Sequence, residues 1–349
     1  MAILLPFNIS KIESDTINSP QARLKKDKFL NLTLDFYSGA LMAIDSAKVL
    51  GINMDVKIFD SQETKNSSNA ISIVEQNNLQ TSDAIIGPFY QTNVEKLAEF
   101  LENSKTPVIS PLSKDVGKNY SNLYQSMPSN EMLRKSMFDY MNTKSGNIVA
   151  VVDPKKASVT QYIETFQKNV KIVGLDENSR VISDSLKILL DKDKINYVVL
   201  ATEKTGMIIA TTNAMLNFQK EYQIQLVILE ANDTFDFEEI ELTRLTKLKL
   251  TYPSLTKPNE TIGANQFDAK YKVLNKILPS QYAIRGFDVT FDTLIRLSQE
   301  KSFEDTVQTS ATQQIENKFD YVHNTVAGYA NQGVYILYYD TDLTIKEAE

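Results

Sequence analysis

Short runs rich in valine and isoleucine recur along this chain, each bounded by Gly, Pro, Asn or Asp. Longer segments with apolar residues three or four apart lie between them. The runs are MDVKIFD, SDAIIGP, TPVISP, NLYQSM, GNIVAVVDP, VKIVG, INYVVLA, IQLVILE and LKLTYPS. Among the intervening segments, Leu34, Tyr37, Leu41 and Ile44 share one helical face, as do Val94, Leu97 and Leu101. Strands bounded by turn residues and separated by roughly 10 to 15 residues of helix specify βαβ units. The predicted fold class is therefore α/β, with mainly parallel sheets flanked by helices on both faces. The opening AILLPF fits this pattern. Its apolar run stops at Pro6, no Lys or Arg precedes it, and no small-residue cleavage site follows, so it reads as a buried first strand and not as an export signal.

Composition narrows the function classes. A chain of 349 residues suits two domains of ordinary size. The 44 acidic and 37 basic side chains leave a formal charge of -7, and RLKK is the densest basic stretch, so neither a nucleic acid nor an anionic membrane is expected as partner. No apolar run approaches the roughly 20 residues of a membrane span. With no cysteine, the chain can form neither disulfides nor thiolate metal sites and has no cysteine nucleophile. No repeat of a solenoid or propeller is visible.

Two proline-bearing stretches, NLYQSMPSNEM and LTYPSLTKPNETIG, look like crossings between two α/β lobes. The expected division is 1–124 with 256–303 for one lobe and 125–254 with 304–349 for the other, with crossings near 124–128, 252–258 and 299–306. The strand-like stretch FDYVHNTVAGYANQGVYILYYD would close the second lobe. A cleft between lobes built this way opens about the crossings, and ligands sit where loops and helix N-termini meet the carboxyl ends of strands. The polar stretch from Ser10 to Lys28 leaves the first strand's carboxyl end and is expected to be a loosely packed, mobile loop at the cleft mouth.

The block DAIIGPFYQTNVEKLAEFLENSKTPVISPLSK followed by YQSMPSN resembles the type I periplasmic binding proteins, in particular the branch serving branched-chain amino acid uptake by ABC transporters. DFYSGALMAID, LTYPS and FDAKY with YAIRGFDVTFDTLIRL follow in that family's order, so the resemblance spans nearly the whole chain. The LLPF opening and Tyr-rich ending are also similar to cell-envelope proteins of this fold found downstream of peptidoglycan-binding LysM domains. The resemblance implies a two-lobed solute-binding receptor in the periplasm or cell envelope, with an export signal, and perhaps other domains, upstream in the gene product.

Amino-acid-binding members of that family hold the ligand carboxylate with a Ser hydroxyl and backbone amides at the helix after the Ile-Gly strand. In this chain the Ser place falls on Gln91, in the stretch Phe89, Tyr90, Gln91 and Thr92. A Thr place beyond the second turn falls on Lys114, beside Leu112 and Ser113. Aromatics are expected near Leu32 and Ala157, and both are missing. The acid that meets the ligand ammonium has its counterpart in Glu230, at the end of LVILE. One place in five keeps the expected chemistry, so a free α-amino acid is not the favoured ligand. Gln91 and Lys114 would suit an anionic or amide-bearing ligand. Glu230 and Lys114 also read as solvated charges, and Tyr90 as a core or rim aromatic.

Catalytic patterns are lacking. The one histidine, His323, sits in a strand-like run without converging partners, and the acidic run holding Glu238 and Glu239 reads as a solvated helix face. No nucleophile-elbow, dinucleotide or phosphate-loop motif occurs, so no enzyme, cofactor or metal is expected. Two functions remain open. One is a solute-binding receptor with a diverged amino-acid site. The other is an envelope or peptidoglycan-associated interaction module with a degenerate cleft.

Overall fold

The computed structural model describes residues 1–178, 180–230, 235, 240–258, 261–324 and 328–348. The chain divides into two units, Met1–Ser129 with Pro258–Gly333 and Asn130–Lys257 with Val334–Glu349.

The first unit is built on a seven-stranded sheet in the order Tyr321–Asn324, Gly328–Asn331, Leu123–Gln125, Val108–Ser110, Ile85–Ile86, Ala2–Leu5, Lys57–Asp60. All its strand pairs are parallel except the edge hairpin Tyr321–Asn324 with Gly328–Asn331. Because successive side chains alternate across a sheet, Ile3, Leu5, Ile86 and Ile109 pack into one core and Ala2, Leu4, Ile85 and Val108 into the core on the opposite face. Each fully buried Ile or Leu contributes roughly 1.5–3 kcal/mol.

Two helices of this unit, Lys28–Val49 and Gln281–Leu297, approach until their backbones touch. A side-chain carbon at Gly39 would stand 1.8 Å from the Ala283 carbonyl oxygen, and one at Gly286 would stand 2.1 Å from that of Phe36. Only glycine fits at either position. The second of these helices carries four buried charged residues, Arg285, Asp288, Asp292 and Arg296. Arg285 donates to the Pro111 carbonyl (2.9 Å), the Ser126 hydroxyl (2.7 Å) and Asn317 Oδ1 (2.8 Å). Asp288 accepts from the backbone N–H groups of Ile315, Glu316 and Asn317 at 2.9–3.0 Å. Arg296 pairs with Asp292 at 2.8 Å and donates to the Thr306 carbonyl at 2.7 Å. These buried charges therefore satisfy backbone groups of irregular segments that would otherwise be orphaned.

The second unit's seven-stranded sheet has the order Ile345–Glu347, Tyr335–Tyr339, Thr251–Ser254, Ile224–Val227, Asn196–Ala201, Asn147–Val152, Lys171–Ile172. Its last two chain segments pair antiparallel and the other strand pairs are parallel. Val149, Val151, Val198 and Leu200 face one core, and Ile148, Ala150, Tyr197 and Val199 face the other.

Three expectations are corrected here. Residues 304–333 belong to the first unit, so the third crossing falls at 333–334 and not near 299–306. The aromatic-rich ending is split: Tyr329 pairs with Tyr124 in the first sheet and stacks on its ring at 4.6 Å, whereas Tyr335–Tyr339 pairs with Thr251–Ser254 in the second. Asn331 fixes the earlier half by donating to the carbonyls of Ser126 (2.9 Å) and Lys318 (2.8 Å). The polar stretch after the first strand is not irregular either. It forms helices Ile9–Glu13 and Pro20–Lys26, with Ser19 capping the second through the Ala22 N–H at 3.2 Å. Glu238 and Glu239 lie outside the described residues.

Candidate functional site

In the first unit, helix Gln91–Phe100 starts just beyond strand Ile85–Ile86, at the carboxyl edge of the sheet. The turn that leads into it presents the backbone amides of Phe89 and Tyr90, which form an anion site. The anion is the protein's own. Glu63, 2% exposed, accepts from the N–H groups of Phe89 (2.7 Å) and Tyr90 (3.0 Å), from the Asn93 side chain (3.3 Å) and from the Ser61 hydroxyl (3.1 Å). Burial pushes the Glu63 carboxyl above its ordinary range, outweighing these hydrogen bonds. Asn93 also donates to the carbonyls of Thr64 (2.9 Å) and Ser67 (3.2 Å), tying the Glu63 loop to the helix.

The neighbouring candidates are arranged around this lock. Phe89 is buried, edge-on to Phe36 at 5.0 Å. Tyr90 is half-buried and stacks on Phe29 at 5.2 Å, an aromatic of helix Lys28–Val49 one turn before Leu32. Gln91 is engaged internally, donating to Glu95 (3.0 Å) and accepting from Ser110 (3.4 Å). Thr92 is exposed. Leu112 packs against the core, Ser113 accepts from the Asp115 N–H at 3.1 Å, and Lys114 is exposed.

In the second unit, strands Asn147–Val152, Asn196–Ala201 and Ile224–Val227 run parallel, so the residues following them share one edge. That edge carries Asp153, Lys156, Thr202, Glu203, Lys204 and Glu230. Glu230 has 37% of its side chain exposed and lies 3.8 Å from Arg134 and 3.7 Å from Lys156. Both separations exceed hydrogen-bond length, so the two pairs are loose. Lys156, which stands where the missing second aromatic would begin, also pairs with Glu203. Glu203, with a smaller contribution from Glu230, holds the Lys156 ammonium above its usual range. Burial works against ionisation of Asp153, yet hydrogen bonds from the Lys155 N–H, Lys204 (3.1 Å) and Thr202 (3.1 Å) hold its carboxyl below the usual range. The buried Nε of Arg134 has no hydrogen-bond partner among the described residues.

Glu63, Phe29, Arg134 and Lys156 carry no motif that marks them in the sequence. His323 is exposed and meets the Tyr329 ring at 5.0 Å. Among the described residues, no group of three or more His, Asp or Glu side chains is placed to hold a metal ion, and no helix is long and apolar enough to cross a membrane.

No protein-family model and no curated protein matches the chain. Solved structures do. A Rhodospirillum rubrum protein assigned to branched-chain amino acid ABC transport is 11% identical with a TM-score of 0.64, the match covering 100% of this chain and 99% of that one. A branched-chain amino acid ABC transporter periplasmic ligand-binding protein from Burkholderia xenovorans is 10% identical with a TM-score of 0.55, covering 100% and 94%. An ABC transporter substrate-binding protein from Desulfitobacterium hafniense, solved with Leu, is 12% identical with a TM-score of 0.51, covering 100% and 99%. At these identities the likeness establishes the fold, which is that of the two-lobed α/β periplasmic binding proteins.

Proposed function

We propose that this chain is a non-enzymatic, extracytoplasmic solute-binding protein whose ligand is not a free branched-chain amino acid. The fold supports the binding role, and the periplasmic role of a similar protein points to the periplasm. The observation that carries the reading is Glu230 at the carboxyl edge of the second sheet, whose ion pairs among the described residues are the loose ones to Arg134 and Lys156. A ligand ammonium can compete with those cations for Glu230, and Arg134 and Lys156, so released, can meet a ligand carboxylate. A peptide-like ligand supplies both kinds of group.

The first unit argues against an ordinary α-carboxylate contact. Glu63 already fills the Phe89 and Tyr90 amides, and a second carboxylate there would meet a buried like charge. That observation also favours the other reading, an envelope interaction module, of the kind that follows LysM domains, which keeps the fold without amino-acid recognition.

Calorimetry with leucine, isoleucine and valine, with small dipeptides and with soluble peptidoglycan fragments tests both. The solute-binding reading expects no heat from the three amino acids and micromolar binding of a dipeptide, weakened about tenfold or more by Glu230→Gln. Micromolar binding of leucine, isoleucine or valine, abolished by Glu230→Ala, would restore a branched-chain receptor. Flat titrations of all small molecules, with retention on intact peptidoglycan, would favour the interaction module.

A further inference from the structure

We propose that the first unit carries a docking face for an anionic lipid surface, formed by the outward side of helix Ile262–Asn275 and the turn that follows it. The inward side of this helix is ordinary core, where Ala264, Phe267 and Tyr271 are buried and the two aromatics pack with Met42, Ala283 and Phe287. The outward side is apolar as well. Ile262, Val273, Leu274, Ile277 and Leu278 are between 58 and 78% exposed, and Ala269 is exposed between them. Steps of seven and eleven residues return an α-helix to nearly the same angle, so Ile262, Ala269 and Val273 form one line along it, with Lys270 and Lys272 about 80° to either side. Five large aliphatic side chains left in water on one short segment mark a contact surface.

Charge decides what this face meets. Lys270, Lys272 and Lys276 are exposed, no Asp or Glu occurs from Ala269 to Ser280, and none of the three lysines has an ion pair among the described residues. Lys276 donates to the Val273 carbonyl at 2.8 Å and keeps its charge. Two acids adjoin the segment, Asp268 and Asp35; both are half-buried, and Asp35 accepts from the Ser280 hydroxyl at 2.6 Å. A chain of net charge -7 thus gathers three cations around an apolar line. That arrangement seats a helix in the interface of an anionic bilayer, with aliphatic side chains among the acyl chains and lysine ammoniums at the headgroups. A second copy fits less well, because a two-fold contact through this face would set the lysines of both copies together. A different protein partner also fits less well, since the face offers Val, Leu, Ile and Lys where protein interfaces enrich aromatics and Arg. The segment is too short to span a bilayer, so the protein would lie on its surface.

The chain has no tryptophan, so Ile277→Trp supplies a fluorescent reporter on this face, and Phe166→Trp, at an exposed site of the second unit, supplies a control. With vesicles of equal parts phosphatidylglycerol and phosphatidylcholine, Ile277→Trp emission should shift to the blue saturably, and Phe166→Trp emission should not. In flotation assays, wild type should bind vesicles of phosphatidylcholine alone at least tenfold more weakly, and Lys270→Gln combined with Lys272→Gln should weaken binding to the anionic vesicles about tenfold or more. Both lysines are exposed, so the double variant should fold as wild type does. No flotation of wild type with anionic vesicles, equal affinity for the two vesicle types, or an equal shift of both tryptophan reporters would overturn the proposal. Lipid-free dimers in sedimentation that Leu274→Glu disperses would also overturn it, by assigning the face to a second copy.

Discussion

The two units share a plan, a mostly parallel seven-stranded sheet with helices rising from its carboxyl edge, yet they treat that edge in opposite ways. In the first unit much of the edge is tied up from within. Glu63 fills the two amides just before helix Gln91–Phe100, and Arg285 closes the turns after two strands through Pro111 and Ser126. In the second unit the edge is a band of partly exposed charges, with Glu230 held at 3.7–3.8 Å. Parallel strands and helix N-termini create an attractive edge in either unit. Whether the protein's own side chains consume its hydrogen bonds decides whether anything is left for a ligand.

The comparison breaks most readily at Arg285. Arg285→Met keeps side-chain bulk but leaves the acceptors at Pro111, Ser126 and Asn317 without their donor, and should cost about 3 kcal/mol in denaturant melts. A loss under about 1 kcal/mol would mean that the first edge is no more tightly built than the second.

Glu63→Gln should cost about 2 kcal/mol. Each carboxylate oxygen accepts from one backbone N–H and one side-chain donor, so whichever oxygen becomes an NH2 group faces donors. The pH dependence has a definite sign. Because burial raises the Glu63 value in the fold above 4.5, the folded chain holds this proton more tightly than the unfolded one. The resulting stability is whole below pH 4.5 and is lost as pH rises through the raised value. Paired melts of wild type and Glu63→Gln should therefore show a gap that narrows from about pH 4 upward, and a widening gap would show that the amide bonds outweigh desolvation.

Much of this contrast could not be read from the chain. The alternation of Val/Ile runs with helical periodicity placed the strands because both periods are local properties of the sequence. Glu230 was legible because it directly follows such a run. Glu63 was not, since the amides it binds lie 26 and 27 residues away and nothing in QETKNSS distinguishes a buried carboxylate from a solvated one. A signal did exist for the buried charges of helix Gln281–Leu297. Arg285, Asp288, Asp292 and Arg296 fall three and four apart, on one face of a helix that is otherwise apolar, and so demand partners. The third crossing was misplaced because GYAN and YILYY read as one β-rich ending, and only tertiary pairing shows that they serve different sheets.

The smallest expected effect sharpens the comparison most. Glu230→Gln should change stability by no more than about 0.5 kcal/mol, because its ion pairs are long and a third of its side chain faces solvent, where screening removes most of their worth. The same substitution should weaken a bound dipeptide about tenfold, since an amide cannot offer the charge that a ligand ammonium needs. Glu230→Gln should thus cost binding with little stability, whereas Glu63→Gln, which removes an internal lock, should cost stability without touching a ligand contact. If calorimetric melts instead gave Glu230→Gln a cost near that of Glu63→Gln, its pairs with Arg134 and Lys156 would be structural. The second edge would then be closed like the first, and a solute site built on Glu230 would have no physical basis.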